Sequence, residues 1–197
     1  MRKFLIPIIL VVTIGLLFYM FGRPKDITPT PSSMVHSFTI TDEKTFLENM
    51  IPHHQEAVDT STVILSQTQD SELKQFTQGV VGTQTKEIVQ MKEWLLSWYL
   101  VEYTPNSNYE PMMANLTEFK NKEQERVYVE GMVRHHQGAI EMAKKILTLN
   151  PRIEVKQIAQ DIISAQESEI ILLQGWLVSK YSEVKGEDKA THDIQIH

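Results

Sequence analysis

The chain of 197 residues contains no cysteine. This excludes disulfides, iron–sulfur clusters, thiolate zinc sites, a cysteine nucleophile and a cysteine-linked lipid anchor. It also fits an oxidising compartment. Positive charge is the scarcer sign, with 19 Lys and Arg against 25 Asp and Glu and a net charge of −6. No basic stripe is present, which argues against a nucleic-acid partner. No stretch of the folded part alternates apolar and polar residues with period two, so strands have no sequence signal. Proline is sparse as well, and Pro52 alone falls inside a segment of helical period.

What the chain does have is an internal repeat. Met50-Ile51-Pro52-His53-His54-Gln55-Glu56-Ala57 returns 82 residues later as Met132-Val133-Arg134-His135-His136-Gln137-Gly138-Ala139. The same offset carries Gln84-Thr85-Lys86-Glu87-Ile88 onto Gln166-Glu167-Ser168-Glu169-Ile170, and Trp94-Leu95 onto Trp176-Leu177. Of the 54 positions from 46 to 99, 19 are identical to their counterparts, with no gap. A repeat at fixed offset describes architecture before it describes chemistry.

One long apolar run exists, residues 4–21, an uncharged stretch of 18 preceded by Arg2 and Lys3. Its length is borderline for a membrane span, and no small-x-small cleavage motif follows it. Residues 1–22 are therefore expected to form an uncleaved signal anchor, a single-pass span of the cytoplasmic membrane with the domain on its outer side. Residues 23–40, with Pro24, Pro29 and Pro31, read as a stiff polar linker, and the polar residues 183–197 as a disordered tail.

Between them, apolar residues recur at helical spacing in four segments, about 41–66, 70–99, 118–149 and on to 181. Thr41 and Asp70 are the expected N-caps, and Pro52 should kink the first helix. The expected class is all-α: a four-helix bundle over residues 41–182 made of two repeated hairpins, 41–101 and 118–182. The linker at 102–117 is long enough for either an up-down arrangement or one long crossover.

On helical wheels the repeated polar residues fall on the apolar faces. Folding each hairpin about its turn sets His53 level with Gln84 and Met50 with Glu87, then His135 with Gln166 and Met132 with Glu169. A bundle of two such hairpins surrounds one centre with up to four His, two Glu, two Gln and several Met. Buried imidazoles and carboxylates need partners, either one another or a cation. The candidate metal ligands are His53, His54, His135, His136, Met50, Met132, Met142, Glu87 and Glu169, with Gln84 and Gln166 hydrogen-bonding the imidazoles. The bland alternative is a polar core that only sets bundle register, with the methionines as apolar filler. Met112, Met113, His192 and His197 read as loop and tail residues outside this constellation. No catalytic residue is expected.

The pattern Met-x-x-His-His-Gln-x-Ala, followed by Gln-x-x-Glu-Ile and then Trp-Leu, resembles the bacterial domain-of-unknown-function family numbered 305. The resemblance covers about residues 42–182, with both motifs in both halves. It implies a ferritin-like four-helix fold, export from the cytoplasm and, through members similar to periplasmic copper-binding proteins, a copper role for Met50, His53, His54, Met132, His135, His136 and Met142. The chain departs from the family pattern at Thr60 and Gly138.

The leading expectation is a membrane-anchored, extracytoplasmic protein that binds copper ion, with iron or zinc as other candidates. Imidazole with thioether suits Cu(I), and imidazole with carboxylate or amide suits Cu(II). Two alternatives stand beside it. One is a ferritin-like di-metal oxidoreductase, which needs more core carboxylates than the two seen. The other is a metal-free helical interaction module.

Overall fold

A computed structural model describes residues 38–105 and 109–184, and within them every regular element is helical. The helices are α1 (Glu43–Gln67), α2 (Ser71–Tyr99), α3 (Asn121–Leu147) and α4 (Ile153–Ser179), with one 3-10 turn at Leu116–Glu118 before α3. The expected anchor at 1–22, most of the linker at 23–40 and most of the tail at 183–197 lie outside the described residues. Among the described residues no helix is long and apolar enough to cross a membrane.

Local chemistry sets the helix ends. Asp42, not Thr41, caps α1: its Oδ1 accepts from the Thr45 N–H at 2.7 Å while Thr45 Oγ1 accepts from the Asp42 N–H at 3.1 Å. This reciprocal pair satisfies two donors that a helix start leaves open, and the extended backbone of Asp42 permits it. Asp70 caps α2 as expected, accepting from Glu72 and Leu73. Pro52 stays inside α1, which runs unbroken through it. Asn150 adopts a left-handed conformation (φ 51°) and Pro151 follows, so α3 and α4 meet in a tight corner.

Two apolar clusters fill the bundle. The first takes Phe46, Leu47 and Met50 from the start of α1, Met91 and Leu95 from the end of α2, Met142 and Ile146 from the end of α3, and Val155 and Ile158 from the start of α4. The second takes the opposite halves: Ala57 and Ile64, Leu73 and Phe76, Tyr128 and Met132, Leu173 and Trp176. Because the start of α1 shares a cluster with the end of α3, those two helices are antiparallel; α2 and α4 are antiparallel for the same reason. The 82-residue offset carries Phe46 onto Tyr128 and Leu73 onto Val155, and so exchanges the two clusters. The hairpins are thus related by a pseudo-twofold axis across the bundle's waist.

This arrangement decides the connectivity that spacing left open. The end of α2 and the start of α3 lie at opposite ends of the bundle, so the linker between them is one long crossover. Tyr103 packs on the first cluster and Leu116 belongs to the second. Midway, Tyr109 and Met113 bond to Glu56 of α1.

Both ends are tied by pseudo-equivalent contacts. The Tyr99 hydroxyl donates to Glu43 at 2.9 Å, and the Tyr181 hydroxyl to Glu125 at 3.3 Å. Arg152 joins the first pair and stacks 4.7 Å over Trp98. Lys180 reaches the Asp70 cap near the second. These clamps hold the clusters in register and fix the height at which the waist residues meet.

Candidate metal centre

Between the apolar clusters lies a polar layer. His53 and His54 on α1, His135 and His136 on α3, Gln84 on α2 and Gln166 on α4 are all buried, none more than 4% exposed. Adjacent residues on a helix point about 100° apart. One histidine of each pair therefore faces the neighbouring hairpin and the other faces its own partner helix. The layer has two sides with different chemistry.

On the α1–α3 side, the His53 and His135 rings pack against each other with centroids 3.7 Å apart and planes 36° apart. Glu56 Oε2 lies 3.3 Å from His135 Nε2. The same carboxylate accepts from the Tyr109 hydroxyl at 2.5 Å and from the Met113 N–H at 2.8 Å. Burial pushes the Glu56 carboxyl up, but His135, Tyr109 and the Met113 N–H outweigh it, and Glu56 sits below the ordinary carboxylate value. Burial and the Glu56 charge both push Tyr109 well up, so its hydroxyl stays a donor. Burial pushes His135 below its ordinary value, with Glu56 only partly opposing it and the neighbouring histidines adding to the fall. His135 is accordingly held as the neutral imidazole, the form that ligates metals.

The repeat breaks on this side. Glu56 has Gly138 as its counterpart, and a β-carbon at 138 would stand 3.1 Å from His53 Nε2 and 3.3 Å from Met112 Sδ. Both atoms therefore face the notch that glycine leaves. A β-carbon at Gly131 would stand 3.0 Å from Met113 Sδ. The two glycines are seven residues apart on one stripe of α3, and the crossover lays a methionine into each. Met112 and Met113 lie in the crossover loop, as expected, yet both thioethers pack against α3, and Glu56, which carries no expected role, bonds to the crossover. A usable signal was present: the second copy places glycine where the first has Asn49 and Glu56, two turns apart.

On the α2–α4 side the repeat is kept. His54 Nε2 lies 2.9 Å from Glu87 Oε2, and His136 Nε2 lies 2.7 Å from Glu169 Oε2. Neither pair has hydrogen-bond geometry, so each is a close imidazole–carboxylate contact. The side-chain oxygens of Gln84 and Gln166 accept no hydrogen bond, and neither glutamine bonds the ring nitrogens of His54, His135 or His136. The expected glutamine–imidazole bonds are not made there. Instead the glutamines line a cavity of about 20 Å³ between α2 and α4, together with Glu87 and Glu169.

The thioethers named from sequence lie above and below the layer. Met50 and Met142 are buried in one apolar cluster and Met132 in the other. Among the described residues, no three or more His, Asp or Glu side chains form a group that could hold a metal ion. A site built only from nitrogen and carboxylate donors is therefore incomplete, whereas the notch over Gly138 brings nitrogen and sulfur to one place.

Several solved structures resemble this chain. CopM in its Cu(I)-bound form is 30% identical, with a TM-score of 0.66, over 72% of this chain and 99% of that one. CopM in its Cu(II)-bound form is 29% identical, with a TM-score of 0.65, over 73% of this chain and 100% of that one. A DUF305 fragment from Deinococcus radiodurans is 27% identical, with a TM-score of 0.61, over 72% of this chain and 99% of that one. Among curated proteins, none matches the chain. Residues 43–177, which span the four helices almost from end to end, match the domain of unknown function DUF305, and the chain belongs to that family.

Proposed function

We propose that this protein binds copper, with Cu(I) preferred, on the α1–α3 side of its polar layer. One observation carries the reading: His53 Nε2 and Met112 Sδ both face the notch over Gly138, beside the buried, neutral His135. An imidazole and a thioether form a donor set suited to Cu(I), which takes few and soft ligands. Similarity to CopM, solved with Cu(I) and with Cu(II), supports the same reading. His53 and Met112 would hold the ion and His135 would flank it. Glu56 is the positioning residue: it fixes the crossover through Tyr109 and the Met113 N–H, and so fixes Met112. A bound copper would supply reversible capture of a soft cation. The role is storage or transfer of the ion rather than turnover of a substrate.

The reading extends to location. The uncharged run at 4–21 would anchor the bundle to the cytoplasmic membrane, with the copper site on the outer side, and a chain without thiols suits that compartment.

The test is an anaerobic Cu(I) titration of the full chain, purified in detergent without a histidine tag, against a competing chelator. Gly138→Ala fills the notch and removes no donor, so its Cu(I) affinity should fall by about tenfold or more while the helical signal is retained. Met112→Leu should fall by a similar factor. Wild-type affinity in both variants would refute the site.

A further inference from the structure

We infer that the α2–α4 side of the layer is a second and chemically distinct site, one that takes a single hard divalent cation of the magnesium, calcium or manganese class through oxygen ligands alone. It lies beyond the copper reading, on the opposite side of the waist.

The cavity here sits on the pseudo-twofold axis, since every lining residue has its counterpart 82 positions on in the same lining. Gln84 pairs with Gln166, Glu87 with Glu169, and Thr83 with Ala165. Its volume of about 20 Å³ suits one small ion or one water, for which roughly 10–15 Å³ suffices. Gln84 and Gln166 are each 4% exposed, and neither side-chain oxygen has a hydrogen-bond partner. Two orphaned amide oxygens meeting at one cavity are unfavourable unless something positive or protic lies between them.

The acids complete the set. Each offers one oxygen to an imidazole, Glu87 to His54 and Glu169 to His136, and has its second oxygen to spare. Two carboxylates line the one cavity, and no cationic side chain does. A divalent ion matches that charge, and amide and carboxylate oxygens are the donors hard cations take. Neither sulfur nor an imidazole nitrogen lines the cavity, so copper has no advantage there. Glu87 and Glu169 are part-exposed, at 18% and 31% of their side chains, which gives a hydrated ion a way in.

The experiment titrates Mn²⁺ into the full chain in detergent, reading free Mn²⁺ by its electron paramagnetic resonance signal. One Mn²⁺ per chain should bind, be displaced by Ca²⁺ or Mg²⁺, and be unaffected by saturating Cu(I). The double variant Gln84→Leu, Gln166→Leu should lose about tenfold or more in Mn²⁺ affinity and keep its Cu(I) affinity. Ala165→Leu, which blocks the cavity mouth and touches no donor, should do the same and decides the matter if the double variant fails to fold. Three results would overturn the inference: no saturable Mn²⁺ binding, unchanged Mn²⁺ affinity in the variant that folds, or displacement of Mn²⁺ by Cu(I). A protein that binds Mn²⁺ as expected but not Cu(I) would sink the copper reading and leave this one standing.

Discussion

The two sides of the waist differ in how far each keeps the duplication. On the α2–α4 side the duplication is intact, with Gln84 and Glu87 repeated as Gln166 and Glu169 around one small cavity. On the α1–α3 side two exchanges, Asn49 against Gly131 and Glu56 against Gly138, break the symmetry. The acid of the first copy captures the crossover, and the glycine of the second makes room for what the crossover carries. A duplication alone gives each helix of a pair the same donors. An unsymmetrical linker drawn across one side brings in sulfur, which the repeated helices do not place at that point. The difference comes from two glycines and one loop.

Restoring the symmetry should do most damage. Gly138→Glu would drive a carboxylate into the notch, displace Met112 and crowd His53 Nε2; overpacking of this kind costs about 1–3 kcal/mol, and an ill-paired buried charge adds more. Chemical denaturation should show a loss of about 3 kcal/mol or more, and Cu(I) binding should vanish. Next in size is Glu56→Ala, which leaves the Tyr109 hydroxyl and the Met113 N–H without their acceptor. Unsatisfied buried donors cost about 1–3 kcal/mol, and hydrogen exchange should rise across 109–118 before it rises in α1 or α3.

The pH response follows from His135. Its folded value lies below its ordinary value of 6.5 because the ring is buried. The unfolded chain therefore takes up a proton first as pH falls, and the native state loses stability downward from about 6.5 toward the depressed folded value. Glu56, also depressed, acts in the same direction at lower pH, its contribution being lost as it protonates. Urea midpoints measured from pH 8 to 5 should fall with acid, and His135→Gln should flatten the upper part of that fall. A midpoint that rises on acidification would contradict the assignment. The smallest effect belongs to the symmetrical side. Glu87→Gln and Glu169→Gln, substitutions at equivalent and part-exposed positions, should alter stability equally, within about 0.5 kcal/mol of each other.

Much of the architecture was legible because it rests on strong, repeated signals. The segments of helical period and the Asp70 cap are local signals, and α1 to α4 formed within a few residues of them. The burial of His53, His54, His135 and His136 bears out their placement on the core face, but they do not meet at one centre: His53 packs on His135, while His54 and His136 each turn to a glutamate of their own hairpin. What sequence did not show depends on contacts distant along the chain. The crossover could be chosen only when the clusters fixed helix directions. Glu56 has no role in the sequence pattern, because its role depends on the bonds from Tyr109 and Met113, more than fifty residues away. Gln84 and Gln166 are buried, yet they line the cavity between α2 and α4, which no spacing rule within one hairpin reveals.

In the proposed site copper would sit where the symmetry is broken, held by a thioether from the crossover. X-ray absorption at the copper edge of the Cu(I)-loaded full chain tests it most directly. The expected result is a mixed nitrogen and sulfur shell whose sulfur contribution disappears in Met112→Leu and persists in Met50→Leu, Met132→Leu and Met142→Leu. A shell without sulfur in the wild type, or sulfur that survives Met112→Leu, would contradict it.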